Sequence, residues 1–139
     1  MAGALENDAT AWLDASRYDL DTAKALFESR RYLYVLFMCQ QGVEKLLKAC
    51  LTIQTQAFPP RIHSLVRLAE LVQLDLSSDE KALLERLALY YFQSRYPPDV
   101  RILAKSVTRG LALDLLERTQ ALCRRLRRQL NLRKRSGKR

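Results

Sequence analysis

Arg95, Tyr96 and Asp99 fall in the stretch YYFQSRYPPDVRI, residues 90–102, where a guanidinium, a phenol ring and a carboxylate flank a double proline. An arginine stays charged and presents a planar fork of donors that matches a phosphate. A tyrosine ring offers a face on which a base stacks. The same residues also fit a plain corner, because proline lacks an N–H, clashes with the preceding turn and pushes the residue before it out of the helical region. One helix is therefore expected to end near Arg95 and another to begin near Asp99. Corner and rim of a binding site are the two readings.

A second stretch, CQQGVEKLLKA at residues 39–49, sets Gln40, Glu44 and Lys48 four apart, and Gln41 and Lys45 likewise. Two polar rows then run beside an apolar stripe on one helix. Read as an exposed pair, Glu44 and Lys48 are in the favoured order and add about 0.2–0.5 kcal/mol. Read as a site, the adjacent glutamine amides serve an interface or a polar groove. His63, in RIHSLVRL, is the only histidine. It cannot form a two-histidine metal site, and no carboxylate or cysteine stands near it with ligand spacing. A helix-terminal histidine held by a backbone or carboxylate partner is the expectation, and a catalytic role requires the fold to carry it across to Arg95. The chain holds no GxSxG, phosphate-loop or dinucleotide fingerprint. Neither a metal, a cofactor nor a self-sufficient enzyme is expected.

These residues need rigid helices to hold them. From an N-cap near Asp8 or Thr10, Leu13, Tyr18, Leu20, Ala23 and Phe27 recur at roughly helical spacing. A long second helix from Tyr32 to about Ala57 carries Val35, Leu36, Cys39, Val43, Leu46, Leu47 and Cys50. After His63 a short helix places Leu65, Leu68 and Val72 on one face. Ser77 or Ser78 caps the next, with Asp79 and Glu80 suited to its first turn. The last helix is expected from about Asp99 through Leu126, with Gly110 as a weak point or a place of close backbone approach. Strand-like alternation is absent. The expected fold is all-α, an antiparallel up-down bundle of about five helices.

Composition narrows the classes further. A chain of 139 residues with 48% apolar and 28% charged side chains supports one core. The net charge of +9 is not spread evenly. Residues 124–139 hold nine Arg or Lys and no acid, while residues 1–123 hold fifteen basic and fifteen acidic side chains. The chain divides accordingly into a helical bundle over 1–123 and a basic helix end and tail over 124–139. Such a run binds phosphates by counterion release, or is simply a solvated helix end whose cations suit the macrodipole. Cys39, Cys50 and Cys123 lack disulfide or zinc spacing and read as small core residues. The acidic start MAGALENDATAWLDAS does not resemble a signal peptide, and no run is apolar enough to span a membrane. A reducing cytoplasm is the expected setting.

Taken in order, DLDTAKALFESRRYLYVLFMCQQGVEKLLKACL, IHSLVRLAELV and YYFQSRYPPDV resemble the bacterial and archaeal HEPN domain, from about Tyr18 to about Leu122. The pieces that carry the resemblance are Gln41, Glu44, Lys45 and Lys48, the His63-Ser64-Leu65 step, and Arg95-Tyr96-Pro97. It implies a helical bundle that pairs into a homodimer, an association with nucleotide, and frequent partnership with a minimal nucleotidyltransferase in a toxin–antitoxin-like system. Many members are RNases that use an Arg, four to six spacer residues and a His. Here Arg95 is followed by Tyr96, Pro97, Pro98, Asp99, Val100, Arg101 and Ile102, and the histidine is missing. The chain looks like the Arg-Tyr-Pro branch without that motif, with the second proline displacing the usual acid by one position.

Three functional readings follow. The leading one is a binding and regulatory module in which Arg95, Tyr96, Asp99 and the polar residues Gln41, Glu44, Lys45, Lys48 and His63 face a nucleotide or a nucleotidyltransferase. The second is an RNase toxin using Arg95 and His63, since RNA cleavage through the ribose hydroxyl wants a group that titrates near neutrality and arginine does not. The third is a nucleic-acid-binding dimer, RNA among its ligands, acting through the basic tail.

Overall fold

The computed structural model describes residues 2–137, with side chains placed for residues 3–131. Six helices follow one another: α1 (Ala2–Glu28), α2 (Tyr32–Thr55), α3 (Leu65–Val72), α4 (Ser78–Ser94), α5 (Pro97–Ser106) and α6 (Arg109–Gly137). No strand occurs among the described residues. Fifteen of the 24 residues of α2 are buried, far more than the single stripe of a surface helix, so α2 is the central post. All five other helices pack on it. The shared core takes Val35, Leu36, Val43, Leu46 and Leu47 from α2, Leu65 and Leu68 from α3, Leu84 and Leu87 from α4, and Leu115 and Leu126 from α6.

Helix α1 approaches α2 closely because its buried face is made of small residues. Ala9, Ser16 and Ala23, spaced seven apart, are buried. Opposite them stands Gly42, whose carbonyl accepts a 2.6 Å hydrogen bond from Ser16 Oγ. A Cβ at Gly42 would lie 2.7 Å from Leu20 Cδ2, so glycine is favoured there by contact rather than by backbone angle, since a larger residue has to displace that leucine. Tyr18, expected on the apolar face, points outward and is 75% exposed. It follows the buried Ser16 by two positions, and at 3.6 residues per turn that step carries a side chain to the opposite side of the helix.

The helix ends follow capping chemistry, with two departures from expectation. Ser77 makes the full capping box with Glu80, as the sequence indicates. Helix α1, however, runs back to Ala2 rather than starting at Asp8 or Thr10. The expected last helix is two. Val107 is extended (φ −90°, ψ 103°) and closes α5, and Thr108 Oγ1 accepts from the Leu111 N–H to start α6. Threonine is a good N-cap, but an apolar pattern that continues through it conceals the break. Gly110 sits in this first turn with nothing within 4 Å of a built Cβ, so it marks no close approach. Arg30, Gln56 and Gln73 take left-handed backbone at the ends of helices where glycine is the usual choice.

Helix α6 keeps packing beyond Cys123: Leu126 and Leu130 are buried core residues. Arg125 donates from Nε and Nη2 to the Glu80 carboxylate at 2.9 and 2.8 Å, and Arg127 donates to the Leu13 carbonyl at 3.0 Å. The first turn of the basic run is therefore docked on the bundle, not frayed. Arg133, Lys134, Arg135, Lys138 and Arg139 lie outside the described side chains.

Candidate functional site

The double proline does not open a loop. Tyr96 alone is extended, and Pro97 and Pro98 occupy the first two positions of α5, where a helix leaves its N–H groups unpaired in any case. Asp99 falls in the same first turn, where a carboxylate suits the positive end of the macrodipole. Helix α4 thus ends at Ser94 with Arg95 as its C-cap and α5 begins at Pro97, so Arg95 and Tyr96 stand at the corner between the two helices.

Aromatic contacts anchor that corner. Phe37 of α2 stacks on Tyr91 of α4 with ring centres 4.9 Å apart and planes 26° from parallel. The Arg95 guanidinium lies 5.4 Å over the Tyr91 ring of this pair, a cation–π contact of about 0.5–1 kcal/mol at an exposed site. Phe92 and Tyr96 pack with tilted rings at 5.3 Å, yet both remain about half exposed, at 59% and 50%. Phe92, Arg95 and Tyr96 line a cavity of about 230 Å³. Among the described residues no carboxylate pairs with Arg95. Sequence reasoning missed Phe92 and the Phe37–Tyr91 support, although the four-residue spacing of Phe92 and Tyr96 was a usable signal.

The polar row of α2 has a different fate. Glu44 and Lys48, read from sequence as an exposed pair, are buried, with their side chains 5% and 6% exposed, and Lys48 Nζ donates to Glu44 Oε2 at 3.1 Å. The correction is one of coverage: α2 is packed on nearly all sides, so a row beside the apolar stripe is still interior. His63 Nδ1 meets the same Glu44 oxygen at 3.0 Å. Gln40 Nε2 donates to the His63 carbonyl at 3.2 Å, and the Lys48 ammonium lies 5.3 Å over the Trp12 ring of α1. Gln40, Glu44 and Lys48 therefore tie the segment ahead of α3 to α2 and α1. Ser64 completes the junction by capping α3 through the Arg67 N–H. Lys45 is held by Asp19 of α1 at 2.6 Å. Gln41 is half-buried.

The eight residues expected to share a site thus separate. Arg95, Tyr96 and Asp99 form the corner, while Glu44 and Lys48 form a buried pair that the largely exposed His63 joins from its rim, and Lys45 makes an interhelical ion pair. Phe37 and Glu44 are seven positions apart on α2, roughly 10 Å of helix. No hydrogen bond, ion pair or ring contact among the described residues joins His63 to Arg95.

Other groups are quiet. Cys39, Cys50 and Cys123 are buried free thiols, and burial pushes Cys39 and Cys123 up to about 12, which makes them poor nucleophiles near neutrality. Among the described residues no three His, Cys, Asp or Glu side chains gather as metal ligands would. No described helix is long and apolar enough to cross a membrane.

Comparison with known proteins places this geometry. A model of the HEPN domain matches residues 9–129. A crystal structure of TT1696 from Thermus thermophilus superposes with a TM-score of 0.72 at 25% identity, covering 88% of this chain and 98% of that one. No curated protein matches the chain.

Proposed function

The chain belongs to the HEPN domain family, and we propose that it is a binding and regulatory module whose Arg95–Tyr96 corner receives a phosphate-bearing nucleotide or the nucleotide-handling face of a minimal nucleotidyltransferase. One observation carries this reading: an arginine without a carboxylate partner is braced on a ring stack and opens, beside two half-exposed aromatic rings, onto a cavity of about 230 Å³. A guanidinium with free donors suits a phosphate, and the Phe92 and Tyr96 rings suit a base or an apolar partner side chain.

The homodimer belongs to this reading. Tyr34, Phe92, Tyr96 and Ile102 are exposed large apolar side chains of α2, α4 and the corner with α5. Pairing about a two-fold axis would cover part of such a surface and bring two Arg95 side chains to one cleft. A toxin–antitoxin-like partnership is the setting in which a module with a receptor corner, and no group titrating near neutrality at that corner, makes sense. The RNase reading has less support, because no contact among the described residues joins His63, which pairs with Glu44, to Arg95.

Calorimetry with nucleoside triphosphates, and with a minimal nucleotidyltransferase encoded beside this protein in its host, tests the proposal. Arg95→Ala is expected to weaken binding about tenfold or more, the loss of a charge-assisted contact, with the fold retained. Equal affinities would reduce the stretch to a corner.

A further inference from the structure

The cations of α6 divide into two faces. On one, Arg118 is bound to Asp114 at 3.0 Å and Arg125 to Glu80 at 2.8 Å. On the other, Gln120, Cys123, Arg124 and Arg127 turn toward Arg17, Leu20, Asp21 and Lys24 of α1, and these eight residues line a groove of about 280 Å³. Four cations stand there against one carboxylate, with Asp14 also near Arg127. Among the described residues Arg17, Lys24 and Arg124 make no ion pair or hydrogen bond, so their charge is not neutralised within the chain.

The arrangement favours an anion of some length. Arg127 is half-buried, with one donor fixed on the Leu13 carbonyl, and burial together with the neighbouring Arg17 charge pulls it below the ordinary arginine range. An anion in the groove would relieve that repulsion. Arg17 and Lys24 are seven residues apart on one helix, roughly 10 Å along its axis, so the cations are spread along the groove. Beyond the groove α6 continues to Gly137 through Arg133, Lys134 and Arg135. No aromatic ring lines the groove, so backbone phosphates rather than bases are what it can hold.

We propose that the α1–α6 groove, through Arg17, Lys24, Arg124 and Arg127, binds the phosphodiester backbone of a single-stranded nucleic acid without sequence preference, at a surface distinct from the Arg95 corner. The terminal basic run supplies only half of this site; the other half comes from α1, whose two cations, Arg17 and Lys24, both line the groove although six acids stand elsewhere along that helix's sequence or at its edge.

Fluorescence anisotropy on the full chain, with a labelled mixed-sequence RNA of about a dozen nucleotides at several salt concentrations, tests it. Each phosphate neutralised contributes about −0.7 to the slope of log K against log salt for a single strand. The double variant Arg17→Ala with Arg124→Ala changes two exposed side chains, and its melting curve verifies the fold. It is expected to weaken binding about tenfold and flatten the slope by one to two phosphates. The control Arg67→Ala with Arg118→Ala removes equal charge elsewhere and should stay within about twofold. Unchanged affinity in the groove variant, or an equal loss in the control, overturns the proposal. So does a loss confined to a variant with Arg133, Lys134 and Arg135 replaced by alanine, which would assign binding to the terminus alone. Competition by inorganic phosphate as effective as by unlabelled RNA would also overturn it, since a backbone site should prefer the strand.

Discussion

The interior junction around Glu44 and the corner at Arg95 use the same kinds of side chain for opposite ends. At the junction, one oxygen of a carboxylate meets an ammonium and an imidazole, and an amide donates to the histidine carbonyl, which ties α2 to the start of α3. At the corner, a guanidinium and two rings rest on a hydrophobic stack and keep their polar or flat faces outward. Charge type does not separate the two regions. What separates them is whether the opposite charge is supplied from within. A protein that pairs its own charges has used them for folding, and one that leaves a braced cation unpaired has kept it for something else.

The sharpest way to break this comparison is Glu44→Ala. Removing the carboxylate strands Lys48 in the interior and frees His63, and loss of one partner of a buried pair costs about 3–5 kcal/mol. Urea unfolding should show it, and a loss under about 1 kcal/mol would mean that the junction is as dispensable as a surface pair. Gly42→Ala tests the small-residue seam that brings α1 against this junction. A methyl group 2.7 Å from Leu20 Cδ2 forces that leucine aside, and overpacking of this kind costs about 1–3 kcal/mol. Neutral behaviour would show that Leu20 swings clear.

Ser77→Ala probes ordinary helix-end chemistry between those extremes, with an expected loss of about 1 kcal/mol. Its pH dependence has a sign. Burial works to raise Glu80, but the Ser77 N–H and the Arg125 guanidinium outweigh it and hold the carboxylate below its ordinary value. A depressed carboxylate contributes stability above its unfolded pKa, about 4.3, that disappears as pH falls through the folded value. Acid melts of wild type should therefore steepen below about pH 4, and less so in Arg125→Ala, which removes the paired guanidinium, whereas Ser77→Ala keeps the backbone N–H. The smallest effect belongs to Arg95→Ala, within about 0.5 kcal/mol in stability because an exposed cation–π contact is nearly all that is lost. A drop as large as that of Glu44→Ala would make Arg95 structural and end the contrast.

The helical class, the long second helix, the Ser77 cap and the stop before the prolines were all legible, because apolar periodicity and proline chemistry act locally. The family was legible from the ordered motifs. Three things were not. The burial of Glu44 and Lys48 depends on how many helices surround α2, which no single periodicity reports. The division of α5 from α6 rests on one extended residue, Val107, inside an unbroken apolar pattern. The α1–α6 groove arises because the fold sets the two cations of an acidic α1 beside α6, pairing Arg118 and Arg125 elsewhere while leaving Arg17 and Arg124 unpaired.

Helices α1 and α2 are joined by only Ser29, Arg30 and Arg31, with Arg30 turning the chain through left-handed backbone at φ 63°. Their seam of Ala9, Ser16, Ala23 and Gly42 is therefore closed by neighbours along the chain, and the loop entropy spent in forming it is small compared with bringing α6 back onto α2. Contacts of this kind form early on the route to the native state. The hairpin should act as the folding nucleus onto which the later helices dock, so that a defect at the seam slows folding while leaving the unfolding rate nearly unchanged.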